Sequence, residues 1–119
     1  MNHASITIYH NPRCSKSRET LKLIVAAGYE PQVIEYLQTP LDAPSLRKLV
    51  KRMNVSVREL LRPGEDAYKT LGLGGENITN ETIYDAIVDY PILMNRPIVV
   101  TEKGACICRP PERVNELLP

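Results

Sequence analysis

A cysteine lies where the first predicted strand gives way to the first predicted helix. Residues 5–9 are largely β-branched and aromatic, which is typical of a strand, and apolar residues at helical spacing follow Cys14. A thiol at a helix N-terminus faces unpaired backbone N–H groups and the positive end of the helix dipole. Because both favour the nucleophilic thiolate, Cys14 is predicted to be a reactive thiol that acts on an oxyanion.

The neighbours of Cys14 refine this prediction. Three basic side chains lie close to it in the sequence and are expected to favour the thiolate further: Arg13, Lys16 and Arg18. Cys14–Ser17 has the form C-x-x-S, so a disulfide formed on Cys14 needs an outside thiol to resolve it. A cysteine phosphatase loop is excluded, because position 20 is threonine rather than arginine and no glycine lies between Cys14 and Ser17.

Three arginines farther along the chain each stand beside a proline at the end of a predicted element: Arg62, Arg96 and Arg109. A guanidinium is a planar fork of donors that suits a tetrahedral oxyanion. The three arginines are therefore candidate substrate-binding residues, although for any one of them taken alone a surface role is the simpler interpretation.

Polar residues around the cysteine leave alternatives open. His10 lies four residues before Cys14, and it either supports the thiolate and its loop or packs at the end of the strand. Ser15 and Ser17 can donate hydrogen bonds to a thiolate or an oxyanion, or they can cap the helix. Ser17 is retained as a candidate substrate-binding residue.

The remaining two cysteines form a C-x-C pair. Cys106 and Cys108 alternate with one isoleucine in a predicted strand, so their side chains share one face, and we interpret them as core or edge residues rather than catalysts. Three cysteines without a secretory signal do not resemble a disulfide framework. The chain lacks the paired C-x-x-C spacing of a zinc ribbon, so no metal site is predicted.

Strand and helix patterns alternate at both ends of the chain. Strands at 5–9 and 32–36 flank a helix at about 15–27, whose apolar face is predicted from Leu21, Ile24, Val25 and Gly28 and whose C-terminal cap is Gly28. This is a βαβ unit with parallel strands. Strands at 97–101 and 105–108 form an antiparallel hairpin, and a last helix starts near Pro110.

The middle third of the chain is predicted to be helical. Asp42 caps one helix, Ser56–Glu59 has the form of a capping box for a short helix, and Thr79 or Asn80 caps another. A weaker helical segment spans residues 65–71, and the glycines at 72, 74 and 75 loosen the chain after it.

Together these elements predict an α/β fold of the thioredoxin-like type. A βαβ unit and a ββα unit would share a mixed four-stranded sheet, within one domain of residues 1–119 that carries a helical insertion at about 41–90. In such folds the loop before the third strand faces the active-site cysteine and carries a cis proline, so by analogy Arg96–Pro97 is a candidate cis peptide.

Composition excludes several classes of function. The 119 residues carry a formal net charge of +1, which gives no general argument for nucleic acid or an anionic membrane. Tyrosine is the only aromatic residue, so a stacking platform for single-stranded nucleic acid is not expected. The first five residues show no secretory signal, and no stretch approaches the roughly 18 apolar residues of a membrane span. We therefore expect a cytoplasmic protein.

Four blocks of the sequence resemble the glutaredoxin-coupled arsenate reductase family. They are residues 9–21, the Glu59–Arg62 stretch, residues 95–100 and the Cys108-Arg109-Pro110 stretch. The blocks occur in the family's order and cover essentially the whole chain. One departure is Ser15-Lys16, where the family often has Gly-Thr after the cysteine.

The resemblance implies a reaction and its participants. Cys14 would attack arsenate to form a covalent thiol–arsenate adduct, and His10 would support its loop. Three arginines would bind the oxyanion: Arg62, Arg96 and Arg109. Glutathione, as co-substrate rather than bound cofactor, would attack the adduct and release arsenite, and glutaredoxin would clear the mixed disulfide.

Two relatives of the family remain as alternatives. One is a same-fold transcriptional regulator that binds RNA polymerase, whose typical form has C-x-x-C where this chain has Cys14–Ser17. The other is a glutathione-dependent thiol reductase that lacks parts of the arginine set. Since all three arginine positions are filled here, the resemblance favours arsenate.

Overall fold

A computed structural model describes residues 5–119. The chain divides into two compact units. One comprises the described residues up to Thr39 together with Arg96–Pro119, and the other is Pro40–Asn95. Residues 1–4, to which most of the expectation about a secretory signal refers, lie outside the described residues.

The first unit contains one mixed sheet of four strands: β1 (Thr7–His10), β2 (Gln32–Glu35), β3 (Ile98–Thr101) and β4 (Gly104–Ile107). Their order is β2-β1-β3-β4. β1 pairs parallel with β2 and antiparallel with β3, and β3 pairs antiparallel with β4. The predicted βαβ–ββα arrangement is confirmed, with strand ends displaced by one or two residues from the sequence-based bounds.

Helix α1 (Ser15–Ala26) connects the two parallel strands and ends as predicted. Gly28 has a φ of +94°, a conformation that favours glycine. Its N–H donates to the carbonyl of Val25 at 3.0 Å, and the N–H of Tyr29 donates to that of Ile24 at 3.3 Å. This pair of bonds is a Schellman motif, which satisfies the last carbonyls of the helix.

The buried face of α1 differs from the predicted one. Its buried residues are Ser17, Thr20 and Ile24, whereas Leu21 is only partly buried against the core and Val25 is 57% exposed. The prediction was wrong about Val25 because it counted only apolar side chains. The two buried hydroxyls are tolerated since each is hydrogen-bonded, that of Thr20 to a carbonyl one turn earlier at 2.8 Å.

The core of this unit lies between the sheet, α1 and the C-terminal segment. Its buried side chains include Ile6, Ile8, Ile24, Val99, Cys108, Val114, Leu117 and Leu118. The last helix is a 3₁₀ helix, Pro111–Glu116, whose start carries the bond from Arg113 N–H to the Pro110 carbonyl at 3.1 Å. The hydroxyl of Thr101 donates to the Leu117 carbonyl at 2.7 Å and ties the chain end to β3.

The second unit is helical. It contains three α-helices and two 3₁₀ helices: α2 (Ala43–Met53), α3 (Asp66–Thr70), α4 (Asn80–Asp89), Val57–Leu60 and Pro91–Leu93. α2 packs on α4, which also contacts both 3₁₀ helices. The predicted helices of the middle third are confirmed, and the insertion at about 41–90 falls inside this unit. That the whole chain is one domain stays a prediction.

Caps in the second unit confirm some predictions and correct others. The carboxylate of Asp42 accepts the N–H of Ser45 at 2.8 Å, and Thr79, not Asn80, caps α4. Ser56 accepts an N–H two residues on rather than three, because a 3₁₀ helix follows and not the α-helical turn that a capping box needs. Gly72, at a φ of +64°, has the further role of terminating α3.

Candidate active site

The loop between β1 and α1 is organised by Asn11, a buried residue. Its carbonyl accepts the N–H of Cys14 at 3.0 Å, and its side-chain oxygen accepts the N–H of Arg13 at 3.0 Å. Its own N–H donates to the Ser17 hydroxyl, also at 3.0 Å. Asn11 therefore closes a tight turn that places Cys14 directly before the helix. This role of Asn11 was not predicted from the sequence, although an asparagine that bonds the backbone two residues on is a known turn signal.

Cys14 occupies the N-cap position of α1. Its backbone is extended, with φ −93° and ψ 122°, and its carbonyl accepts the N–H of Arg18 at 3.0 Å. The sulfur lies at the first helical turn, where backbone N–H groups have no partner inside the helix. The N–H groups of Ser17 and Lys16 both lower the pKa of the thiol, although neither makes a fully formed capping hydrogen bond.

Arg109 is the arginine that the structure brings to the cysteine. Its Nη1 lies 3.9 Å from Cys14 Sγ and donates to the carbonyl of Arg96 at 2.9 Å. Arg96 precedes β3, and Arg109 follows β4. The antiparallel pairing of those strands sets the two arginines side by side, 13 positions apart in sequence. The peptide bond between Arg96 and Pro97 is cis, as expected by analogy, and so is the one between Arg109 and Pro110.

Opposing effects set the pKa of Cys14. Burial raises it, but the Ser17 N–H, the Arg109 guanidinium and the Lys16 N–H together outweigh burial, so the pKa lies below its ordinary value. The predicted thiolate is thus supported, with the backbone N–H groups at the helix N-terminus acting as expected and Arg109 as the cation. The side-chain charges of the three cations near Cys14 in the sequence are not among the causes: Arg13, Lys16 and Arg18.

His10 and Ser17 form a buried polar pair beneath the loop. His10 Nδ1 and Ser17 Oγ lie 2.7 Å apart, and His10 is 6% exposed while Ser17 is fully buried. Strand alternation explains why His10 contacts Ser17. His10 lies on the same face of β1 as Ile8, which packs against α1. The structure places His10 against the helix that carries Cys14, at the end of its strand.

The surroundings of the histidine ring favour its neutral form. Burial lowers the pKa of His10, the facing carboxylate of Glu35 opposes that effect, and Arg18 lowers the pKa further. His10 also lines a cavity of about 220 Å³ between residues 10–13 and the end of β2, where Glu35 contributes as well. The Ser17 hydroxyl has one hydrogen and two acceptor lone pairs, so it can accept the Asn11 N–H while it also bonds the His10 ring.

The other predicted binding residues have different positions. Arg96 is 7% exposed, and its backbone carbonyl anchors Arg109. Arg62 belongs to the second unit, two residues after the end of the 3₁₀ helix Val57–Leu60. Its guanidinium is half-buried, and its Nε lies 3.9 Å from a carboxylate oxygen of Glu65. Arg18, predicted as a thiolate partner, instead braces the loop by donating to the Pro12 carbonyl at 2.9 Å.

Within residues 5–119, no group of three or more histidine, cysteine or acidic residues is placed to hold a metal ion. In the same residues, no helix combines the length and the apolar character that crossing a bilayer requires.

The sheet and the loop define a class of protein, namely thioredoxin-like proteins with an activated cysteine at the end of the first strand, set against an arginine. Comparison with protein families makes the assignment specific, because the ArsC family model matches residues 9–117. The chain belongs to the ArsC family.

Individual relatives agree with this assignment. An uncharacterized protein of Escherichia coli, YfgD, is 53% identical over 114 residues, covering 95% of this chain and 96% of the relative. An arsenate reductase of Escherichia coli is 48% identical over 116 residues, covering 98% of this chain and 82% of the relative. Among solved structures, an arsenate reductase from Vibrio cholerae matches with a TM-score of 0.94 and 43% identity, covering 98% of this chain and all of that one.

The first prediction concerns the pKa of Cys14. Replacement of Arg109 by alanine removes one of the groups that lower this pKa, so the pKa should rise. The measurement is the pH dependence of iodoacetamide alkylation, with the Cys14 peptide followed by mass spectrometry. Arg13→Ala is the matched control, because Arg13 is an exposed arginine next to Cys14 that should leave the pKa unchanged. Equal shifts in both variants would contradict the assignment of Arg109.

The second prediction concerns the Ser17 hydroxyl. Ser17→Ala leaves His10 Nδ1 and the Asn11 N–H without this partner, and a lost buried partner costs about 1–3 kcal/mol. Urea unfolding should show that loss in the free energy of unfolding. Ser15→Ala removes an exposed hydroxyl in the same turn and should cost less than about 0.5 kcal/mol. A Ser17 variant as stable as the Ser15 variant would overturn the role of this pair.

Proposed function

We propose that this protein is an arsenate reductase in which Cys14 attacks arsenate. One observation carries the proposal: the Cys14 thiol, with its pKa lowered, lies at the N-terminus of α1 with Arg109 Nη1 3.9 Å from its sulfur. Relatives that bear the name arsenate reductase, at 46–48% identity over nearly the whole chain, support the choice of substrate.

The first chemical step is a condensation. The Cys14 thiolate forms a sulfur–arsenic bond to arsenate, and an oxygen leaves as water after protonation. The arsenic remains pentavalent at this stage, so no reductant is needed. A group of donors fixed beside the sulfur stabilises the negative charge that gathers on the arsenate oxygens.

The donors that we assign to this oxyanion come from the loop and from the arginines. Arg109 and the backbone N–H groups of Lys16 and Ser17 lie at the sulfur and would contact the oxyanion bound there. Because the Ser17 hydroxyl is occupied by His10 and Asn11, Ser17 would contribute through its N–H group.

Arg96 and Arg62 complete the proposed set. Arg96 holds Arg109 through its carbonyl at 2.9 Å, and its guanidinium would be a further ligand of the oxyanion. Arg62 has a half-buried guanidinium and stands in a block that resembles the family's second motif. His10 would act as a positioning residue, because its bond goes to Ser17 beneath the cysteine loop.

Reduction would require thiols from outside the protein. Cys14–Ser17 offers no second thiol in the loop, so glutathione would attack the Cys14 sulfur of the adduct. The sulfur–arsenic bonding pair then leaves with the arsenic, which departs as arsenite, and a Cys14–glutathione disulfide remains. Glutaredoxin would take the glutathione by thiol–disulfide exchange and restore Cys14. The cytoplasm, whose glutathione pool keeps thiols reduced, is the compartment that suits this scheme.

The third prediction concerns turnover. In an assay with arsenate, glutathione and glutaredoxin, the wild type should produce arsenite and Cys14→Ser should produce none above background. Arg109→Ala should lower kcat/KM by about 10²–10³-fold, the usual cost of losing one oxyanion donor, and Arg62→Ala should lower it as well. Arg113→Ala, an exposed arginine four positions from Arg109, is the matched control and should retain wild-type turnover.

Two outcomes would contradict the proposal. Arsenite production that survives Cys14→Ser would remove the covalent mechanism. A wild type that reduces disulfide substrates with glutathione but shows no arsenate-dependent turnover would favour the alternative of a thiol reductase for another substrate.

A further inference from the structure

A second pair of thiols lies outside the site described above. Cys106 and Cys108 flank Ile107 at the end of β4, and their sulfur atoms are 3.5 Å apart. Strand alternation places both side chains on one face, as the sequence predicts. Neither thiol takes part in the arsenate chemistry proposed for Cys14.

The two thiols differ in access. Cys108 is fully buried in the core of the first unit, where its neighbours include Val99 and Val114. Cys106 is half-buried and packs against the edge of the same core. A small molecule can therefore reach Cys106 first, and the buried sulfur of Cys108 lies 3.5 Å from that of Cys106.

The pKa values of the two thiols also differ, and the more accessible Cys106 has the lower one. The hydrogen bond from the Cys108 thiol lowers the pKa of Cys106, burial opposes this, and of the two charged groups at this face Arg113 lowers the pKa while Glu116 raises it. For Cys108, the bond to Cys106 and burial both raise the pKa. Cys106 is thus the member of the pair that becomes a thiolate, and Cys108 retains its proton.

We propose that Cys106 and Cys108 form a second thiol site, at which Cys106 attacks a low-molecular-weight disulfide and Cys108 then closes a Cys106–Cys108 disulfide. The chemical class of the reactant is a thiol disulfide such as oxidised glutathione. An accessible thiol with a resolving thiol beside it is the arrangement that such reactions use. The proposal stands independently of arsenate reduction.

The reaction balances in two exchanges. In the first, the Cys106 thiolate bonds one sulfur of the disulfide and the other half leaves as a thiolate. In the second, the thiolate released by the first exchange takes the proton of Cys108, whose sulfur then attacks that of Cys106 and expels the captured half as a second thiolate. Two protein thiols are oxidised, and one small disulfide is reduced to two thiols.

The geometry of β4 permits the second exchange. A disulfide bond is about 2.05 Å long, so the two sulfurs must approach by about 1.5 Å from their present 3.5 Å. Among the strands of residues 5–119, β4 lies at the edge of the sheet and pairs with β3 alone. An edge strand with one partner can shift locally without breaking a second ladder of hydrogen bonds.

The test uses a Cys14→Ser chain, in which these two thiols are the only cysteines. The chain is incubated with oxidised glutathione and its mass is measured intact and after peptide mapping. The expected product has lost two hydrogens and carries no lasting glutathione. Adding Cys108→Ala should leave one glutathione on Cys106, and adding Cys106→Ser should leave the chain unmodified because Cys108 is buried.

Other products would overturn the proposal. A stable glutathione adduct on Cys106 in the Cys14→Ser chain would show that Cys108 does not resolve it, and an unmodified chain would show that Cys106 is not reactive. Circular dichroism of each variant confirms that it is folded, and Cys108→Val replaces Cys108→Ala if the smaller side chain unfolds the core. Since no arsenate is present, this result is separate from success or failure of the proposed reductase activity.

Discussion

The contact on which this site depends is the one between the Cys14 sulfur and the groups that stabilise its negative charge. Burial alone raises the pKa of the thiol. Two backbone N–H groups of the first helical turn and one guanidinium reverse that effect. The turn closed by Asn11 sets the sulfur at the helix end, and the His10–Ser17 pair fixes that turn from below. The turn thus places the sulfur at the helix end, and the groups at the helix end lower the pKa of the thiol.

The same contact joins distant parts of the sequence. Arg109 is 95 positions from Cys14, and only the sheet brings them together. β1, which leads to the cysteine, pairs with β3, and β3 pairs with β4, which leads to Arg109. The guanidinium is then held by the carbonyl of Arg96 at 2.9 Å. Antiparallel pairing at the centre of the sheet therefore brings Arg109 to the loop that carries Cys14.

Features that depend on neighbouring residues could be predicted from the sequence, whereas contacts between residues far apart in the sequence could not. The strand, proline and cysteine pattern predicted the loop, and Gly28 and Asp42 predicted their caps because each motif needs only neighbouring residues. The sequence could not rank the arginines, since only strand pairing decides which one reaches the sulfur. It also misplaced the buried face of α1, because the burial of Ser17 and Thr20 depends on hydrogen bonds that apolar periodicity does not register.

The covalent claim is tested most directly by the fate of Cys14 in a single turnover without glutaredoxin. Freshly reduced glutathione and arsenate are added to the wild-type protein, and the Cys14 peptide is weighed by mass spectrometry as arsenite forms. The account predicts one glutathione on Cys14 for each arsenite released, and none when arsenate is omitted. Arsenite released while Cys14 stays unmodified, or glutathione on Cys14 regardless of arsenate, would contradict it.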